Sequence, residues 1–290
     1  MNSIAASGAT AHRVAERQAA RAGAGSLRLR IASAVVLAPL AIAITWAGGW
    51  WLTTLVAVAA LAMLGEWHRI MGGIAFDTQG LVRAVALLVA LLVAGLGHAT
   101  VAAIVIVVLT TTIALLAAWN AGLPRWSAIG VAYIGLPCIA LIWLRRNPDP
   151  ESGLVVVLWL FAVVWATDVG AYVAGRLIGG PKLAPAISPN KTWAGLVGGM
   201  AAAVLVSLVA VVWGGGRPPA ALVVASTGLA LVSQAGDLTE SALKRRFGVK
   251  DAGQIIPGHG GALDRLDGML FAAPAAVALV VFVEGVRPWR

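Results

Sequence analysis

Residues 153–175 read GLVVVLWLFAVVWATDVGAYVAG, 23 residues with a single charged group, Asp168. As an α-helix at 1.5 Å per residue this run is about 34 Å long, enough to cross a hydrocarbon core of about 30 Å. It therefore predicts a membrane span that carries a carboxylate in its second half. Eight further apolar runs of similar kind lie at about 31–48, 50–66, 82–98, 100–119, 126–144, 193–213, 219–236 and 269–285. The expected fold is all-α: a polytopic integral membrane protein of about nine transmembrane helices. The composition of the 290 residues agrees, with 60% hydrophobic and 11% charged residues and a mean hydropathy of +0.90. Soluble domains carry about 25% charge, so a water-soluble globule is excluded, and a disordered chain more firmly still. The single cysteine, Cys138, excludes a disulfide framework and a cysteine-based zinc site. Inside an apolar run it reads as a packed thiol.

The net charge of +9 is explained by topology. With the N-terminus cytoplasmic and nine crossings, Arg145, Arg146, Arg217, Arg287 and Arg290 fall outside, and the other sixteen of the 21 Lys and Arg fall inside. That asymmetry is the positive-inside bias of a membrane protein. It accounts for the basic balance without nucleic acid as a partner; anionic membrane lipid is the expected contact.

Residues 1–26, Ala-rich with Arg13, Arg17 and Arg21, read as a flexible cytoplasmic tail ahead of one membrane domain over 27–290. Polarity along that domain is uneven. The first part, about 27–150, is a scaffold half with one notable polar group, Glu66-Trp67-His68, expected as a helix-end anchor. The second, about 151–290, gathers acids, bases and glycines at the cytoplasmic ends of its spans and is expected to carry the chemistry. No internal repeat is evident.

An ionised group inside a bilayer costs about 2.5–3.5 kcal/mol on insertion scales, so each is a functional candidate. Asp168 lies inside or just at the end of a span, with a helix-end carboxylate paired to Arg176 or to a neighbouring helix as the plain structural alternative. Asp237 ends another apolar run, with a helix N-cap as its alternative. On a helix, Asp237, Ser241, Lys244 and Arg245 would share one face. The glycine-rich turn PGHGG at 257–261 would let backbone N–H groups approach an anion, with His259 as phosphate donor or turn stabiliser. Asp264 and Asp267 follow three residues apart, beside Arg265. Carboxylates from two segments, without a His or Cys cluster, suit a hard cation such as Mg2+ that completes its shell with water and phosphate. A second basic stretch, GRLIGGPKLAPAISPNKTWAG at 175–195, reads as an inter-span loop supplying Arg176, Lys182, Ser188, Lys191 and Thr192. Together these predict a site for a polyphosphate and an anionic lipid headgroup at the membrane surface. No Ser-His-Asp, Cys-His or zincin arrangement accompanies them.

These residues resemble a known family. The run Ser241, Lys244, Arg245, Lys250, Asp251, then Pro257-Gly258-His259-Gly260-Gly261, Leu263-Asp264-Arg265 and Asp267 is similar to the motif of the phosphatidate cytidylyltransferases (CDP-diacylglycerol synthases). Asp168-Val169-Gly170, Gly175-Arg176, Ser188-Pro189-Asn190-Lys191-Thr192-Trp193 and Gly236-Asp237 with Glu240 resemble the family's preceding segments. Two positions depart from it: Asn190 stands where a second basic residue is common, and Ala194 where an acid is common. The resemblance implies transfer of a cytidylyl group from CTP to phosphatidic acid, giving CDP-diacylglycerol and pyrophosphate. It implies metal-binding aspartates at Asp237 and Asp264, with Asp267 on the same acidic face and Lys244 catalytic. Ser188, Lys191, Thr192, Ser241, Arg245, His259, Gly260, Gly261, Arg265 and Asp168 are the expected substrate contacts. Mg2+, a second cation such as K+, a homodimer and a site facing the cytoplasm of the inner membrane are further expectations. A transporter for a phosphorylated solute and a CTP-dependent kinase acting on a polyprenol are the competing readings.

Overall fold

A computed structural model of the chain describes residues 33, 35–71, 78–119, 125–147, 149–215, 217, 220–253, 255 and 260–282. The expected tail over 1–26 and the turn residues 257–259, His259 included, lie outside them. Among the described residues are nine helices: α1 (Val35–Ala47), α2 (Gly49–Ile70), α3 (Thr78–Gly95), α4 (Ala99–Trp119), α5 (Arg125–Arg146), α6 (Pro150–Leu177), α7 (Trp193–Trp213), α8 (Ala220–Arg246) and α9 (Leu263–Phe282). Each expected span overlaps one of them. Six, α2 and α5–α9, have stretches long and apolar enough to cross a membrane; the apolar stretches of α1, α3 and α4 are shorter.

Two boundaries differ from the sequence reading. The stretch 175–195 is not wholly loop. It contains an antiparallel pair, β1 (Lys182–Ala184) and β2 (Ser188–Thr192), with Lys182 opposite Thr192 and Ala184 opposite Ser188. Helix α8 does not stop near residue 236 but continues to Arg246. The sequence LTESALKRR after Asp237 has no Gly or Pro, and Glu240 and Lys244 form an i,i+4 ion pair at 2.7 Å. Asp237 is thus inside a helix, and the N-cap alternative is ruled out.

Local chemistry sets the starts of the two helices that flank the strand pair. At α6, the Asp149 carboxylate accepts from the backbone N–H of Glu151 (3.1 Å) and Ser152 (2.9 Å), and Pro150 occupies the first turn. At α7, the Thr192 hydroxyl accepts from Gly195 N–H at 3.0 Å. Helices α6 and α7 then pack at backbone distance through small residues. A Cβ on Gly170 would lie 2.5 Å from Ala202 Cβ, and one on Gly198 would lie 2.2 Å from Ala174 Cβ. Such small-residue seams hold helices together where lipid removes the hydrophobic drive for association.

Helix ends collect at two poles. At one, Arg145 donates to the carbonyls of Thr45 (2.7 Å), Trp46 (3.0 Å) and Pro150 (2.6 Å), and Arg146 to those of Ala94 and Gly95. These cations satisfy the last carbonyls of α1 and α3. At the other, Trp67 Nε1 donates to the Trp126 carbonyl at 2.9 Å, joining the end of α2 to the start of α5. Two apolar cores lie between the poles. One is built from α2–α5 and also takes in Ala252, Ala262, Leu263 and Leu270; the other joins the end of α5 to α6–α9. Helix α9 belongs to both, so its first turn is set against the amino-terminal half.

Candidate active site

At the second pole a cavity of about 770 Å³ opens between α6, the strand pair, α8 and α9. Close backbone contact between α8 and α9 brings its acids together. Gly236 lies against the Asp267 carbonyl, where a Cβ would approach to 2.5 Å, and Gly268 lies against Ser233 Oγ, where one would approach to 2.4 Å. Asp237, one residue on from Gly236, is thereby held beside Asp267. Six acids (Asp168, Asp237, Glu240, Asp251, Asp264, Asp267) and four bases (Arg176, Lys191, Lys244, Arg265) line the cavity.

The acids and bases are interlocked. Lys191 Nζ contacts Asp237 Oδ2 at 2.6 Å and donates to Gln234 Oε1 at 3.0 Å, tying β2 to α8. Lys244 Nζ bridges Glu240 (2.7 Å) and Asp264 (2.6 Å), tying α8 to α9. Asp264 also accepts from the backbone N–H of Ala252 (3.0 Å) and Gly261 (2.9 Å), so it fixes both described ends of the loop before α9. Asp267 Oδ1 accepts from Gly268 N–H at 2.7 Å.

Of the residues singled out from sequence, Asp168, Lys191, Thr192, Asp237, Lys244, Asp264, Arg265 and Asp267 line this one cavity. Ser188, Ser241, Arg245, Gly260 and Gly261 are not among its lining residues. Ser241 Oγ sits 3.4 Å from Asp237 Oδ1, and Arg245 Nε donates to the Ile187 carbonyl at 3.4 Å, bracing the turn of the strand pair. The Thr192 hydroxyl accepts the α7 cap hydrogen bond from Gly195 N–H. Arg176 does not pair with Asp168; it donates to the Tyr172 hydroxyl at 2.7 Å. Gly260 has φ +87°, a left-handed conformation open to glycine, which explains one glycine of the PGHGG turn.

Arg176, expected from its loop as one of the site's cations, also lines the cavity, as do Glu240, Gln234 and Tyr172, to which sequence reasoning gave no roles. Glu240 had a legible signal, since it stands four residues before Lys244 on one helix face. Gln234 had none, because its partner Lys191 comes from a different segment.

The donor set suits a hard divalent cation: every candidate is a carboxylate, and the acids exceed the bases, so a polyphosphate would be repelled without added positive charge. Among the described residues no three such side chains form a ready cage. Both oxygens of Asp264 accept hydrogen bonds, and both oxygens of Asp237 are engaged as well, by Ser241 and Lys191.

The fold and cavity define a polytopic membrane protein, helical but for one strand pair among the described residues, with acids and bases lining a single cavity. Residues 28–283 match the model of the Cytidylyltransferase family. The chain is 42% identical over 253 residues to a phosphatidate cytidylyltransferase of Brucella suis, covering 86% of this chain and 91% of that one. Shorter similarities link it to phosphatidate cytidylyltransferases of Staphylococcus saprophyticus (42% over 161 residues, 53% of this chain and 57% of that one) and Haemophilus influenzae (44% over 131 residues, 43% and 46%). The chain belongs to the cytidylyltransferase family.

Proposed function

We propose that the protein transfers the cytidylyl group of CTP to phosphatidic acid, releasing pyrophosphate and leaving CDP-diacylglycerol in the membrane. The observation that carries this reading is the meeting of Asp237, Asp264 and Asp267 with Lys191 and Lys244 around one cavity at the end of the spans. An oxygen of the lipid phosphate attacks the α-phosphorus of CTP. A P–O bond forms there, and the bond from the α-phosphorus to the oxygen bridging the β-phosphate breaks. Pyrophosphate leaves with that electron pair. The attacking phosphate is already anionic, so the barrier is chiefly charge and alignment.

Mg2+, held by Asp237 with Asp267 or Asp264, would neutralise phosphate charge. A monovalent second cation such as K+ is part of the same proposal. Lys244 uses two of its three donors on Glu240 and Asp264 and has a third for a phosphate oxygen. Lys191 and Arg176, which both line the cavity, offer positive charge to the lipid headgroup or the nucleotide. Exposed Val169, Val173, Leu177 and Trp193 flank this side and would meet acyl chains. The distribution of Lys and Arg supports a site on the cytoplasmic face, the bacterial relatives support the inner membrane, and a homodimer is part of the same proposal.

The test is purified protein in detergent, supplied with CTP and phosphatidic acid. Pyrophosphate and CDP-diacylglycerol should appear in equal amounts, stop with EDTA and resume with Mg2+. Turnover unaffected by chelation removes the metal from the proposal. A transporter would show no turnover without a compartment, and a polyprenol kinase would require the other acceptor.

A further inference from the structure

The loop that enters α9 is held from two sides. Asp264 holds it from the cavity, through Ala252 and Gly261. Beneath it lies Glu66, in the last turn of α2 and fully buried at 0% exposure. Its two carboxylate oxygens accept from the backbone N–H of Ala262 (3.0 Å) and Leu263 (2.9 Å), the first donors of α9. Gly261 and Ala262 bring no side-chain acceptor of their own, so α9 takes its cap from a residue 196 positions away. The loop is also shaped to the carboxylate: a Cβ on Gly253 or Gly261 would lie 2.4 Å or 2.6 Å from the Glu66 oxygens. Burying a carboxylate is an expensive way merely to join helices, since apolar side chains of similar volume serve as well or better. Two acceptor oxygens aimed at successive amides do what apolar packing cannot: they fix the orientation of the peptide units that lead into Asp264.

We infer that Glu66 is a positioning residue for the reaction: it sets the loop and first turn of α9 so that Asp264 holds Lys244 in place. The inference rests on the proposed reaction for its kinetic consequence, but its structural consequence can be read without turnover. Strand β2 and Lys191 are tied to α8, and among the described residues no hydrogen bond or ion pair joins them directly to Glu66, so that side of the cavity serves as the internal control.

The experiment uses the full chain in detergent with Glu66→Gln, which places an NH2 where a second acceptor is needed. Hydrogen exchange over 250–263 should rise while exchange over 182–192 stays unchanged. The kcat should fall about tenfold or more, with KM for phosphatidic acid within twofold. In a Lys244→Ala background the same change should cost less than twofold further, because both act through one group. Gly253→Ala, which keeps the carboxylate but crowds it, should reproduce the pattern and serves if Glu66→Gln does not yield folded protein. Unchanged exchange over 250–263, exchange that rises equally in both segments, or full multiplicative loss with Lys244→Ala would overturn the inference. Exchange that behaves as expected while wild-type protein fails to use CTP would instead count against the proposed reaction.

Discussion

Helices α1–α5 and helices α6–α9 both bury polar groups, and they do so to different ends. In the first set most of these groups end on protein backbone: Arg145 on the carbonyls of Thr45, Trp46 and Pro150, Trp67 on Trp126, Glu66 on Ala262 and Leu263; the exception is Arg83, whose Nη1 lies 2.9 Å from His68 Nδ1. In the second set the acids and bases pair with one another around open volume. A charge satisfied by fixed backbone dipoles is a structural device. A charge balanced by another side chain can exchange that partner for a substrate phosphate or a cation. The contrast runs with exposure: Glu66 and Arg145 are buried, whereas Asp168, Arg176 and Arg265 are exposed and Asp237 is partly so.

Four substitutions break or sharpen this contrast, from the largest effect down. Asp237→Asn should lower turnover on the order of 10³-fold while the protein still inserts and purifies as a single species, as loss of a principal electrostatic contact would; near-normal turnover would move the acidic centre elsewhere. Lys244→Ala should lower kcat on the order of 10²-fold. A rise in KM for CTP alone would make it a binding residue. Gly198→Val, in the α6–α7 seam, should destabilise by about 1–3 kcal/mol through overpacking, seen as a lower midpoint of thermal unfolding. It should also weaken activity, because the seam positions Asp168 and Lys191. Ser207→Ala should have the smallest effect. Ser207 accepts from Trp159 Nε1 and Ser226 Oγ, both at 2.8 Å, within the α6–α8 core. Removing it should cost about 1 kcal/mol of stability, with kcat unchanged.

The parts legible in the sequence are those written in local terms. The spans are continuous apolar runs, and Asp264 and Asp267 share a helix face by spacing; the caps at Asp149 and Thr192 emerged only with the structure. The extension of α8 through Asp237 was less legible, because the apolar run ends where the helix does not. A span boundary read from hydropathy marks the edge of lipid contact, whereas a helix ends where its backbone partners end. The pairing of Lys191 with Asp237 and Gln234 was not legible at all. It depends on the strand pair turning β2 back over α8, and no periodicity encodes which carboxylate a lysine will meet. Glu66 is the clearest case, since at the end of α2 it had the appearance of a helix-end anchor. Its partners are backbone amides nearly 200 residues away, and amides carry no residue identity that a sequence could display.

By itself, then, the sequence determined that this is a helical membrane protein with acids and bases concentrated in its later spans, since the free energy of placing apolar runs in lipid depends only on composition and length. It determined too, through its motifs, the family resemblance that the comparisons bear out. Tertiary structure alone decided which charges meet: the glycine contacts of α8 on α9 set the acids side by side, and the shared packing of α9 placed a scaffold glutamate under the loop. Those choices rest on close approach between segments distant in the chain, and such approach exists only once the helices have packed.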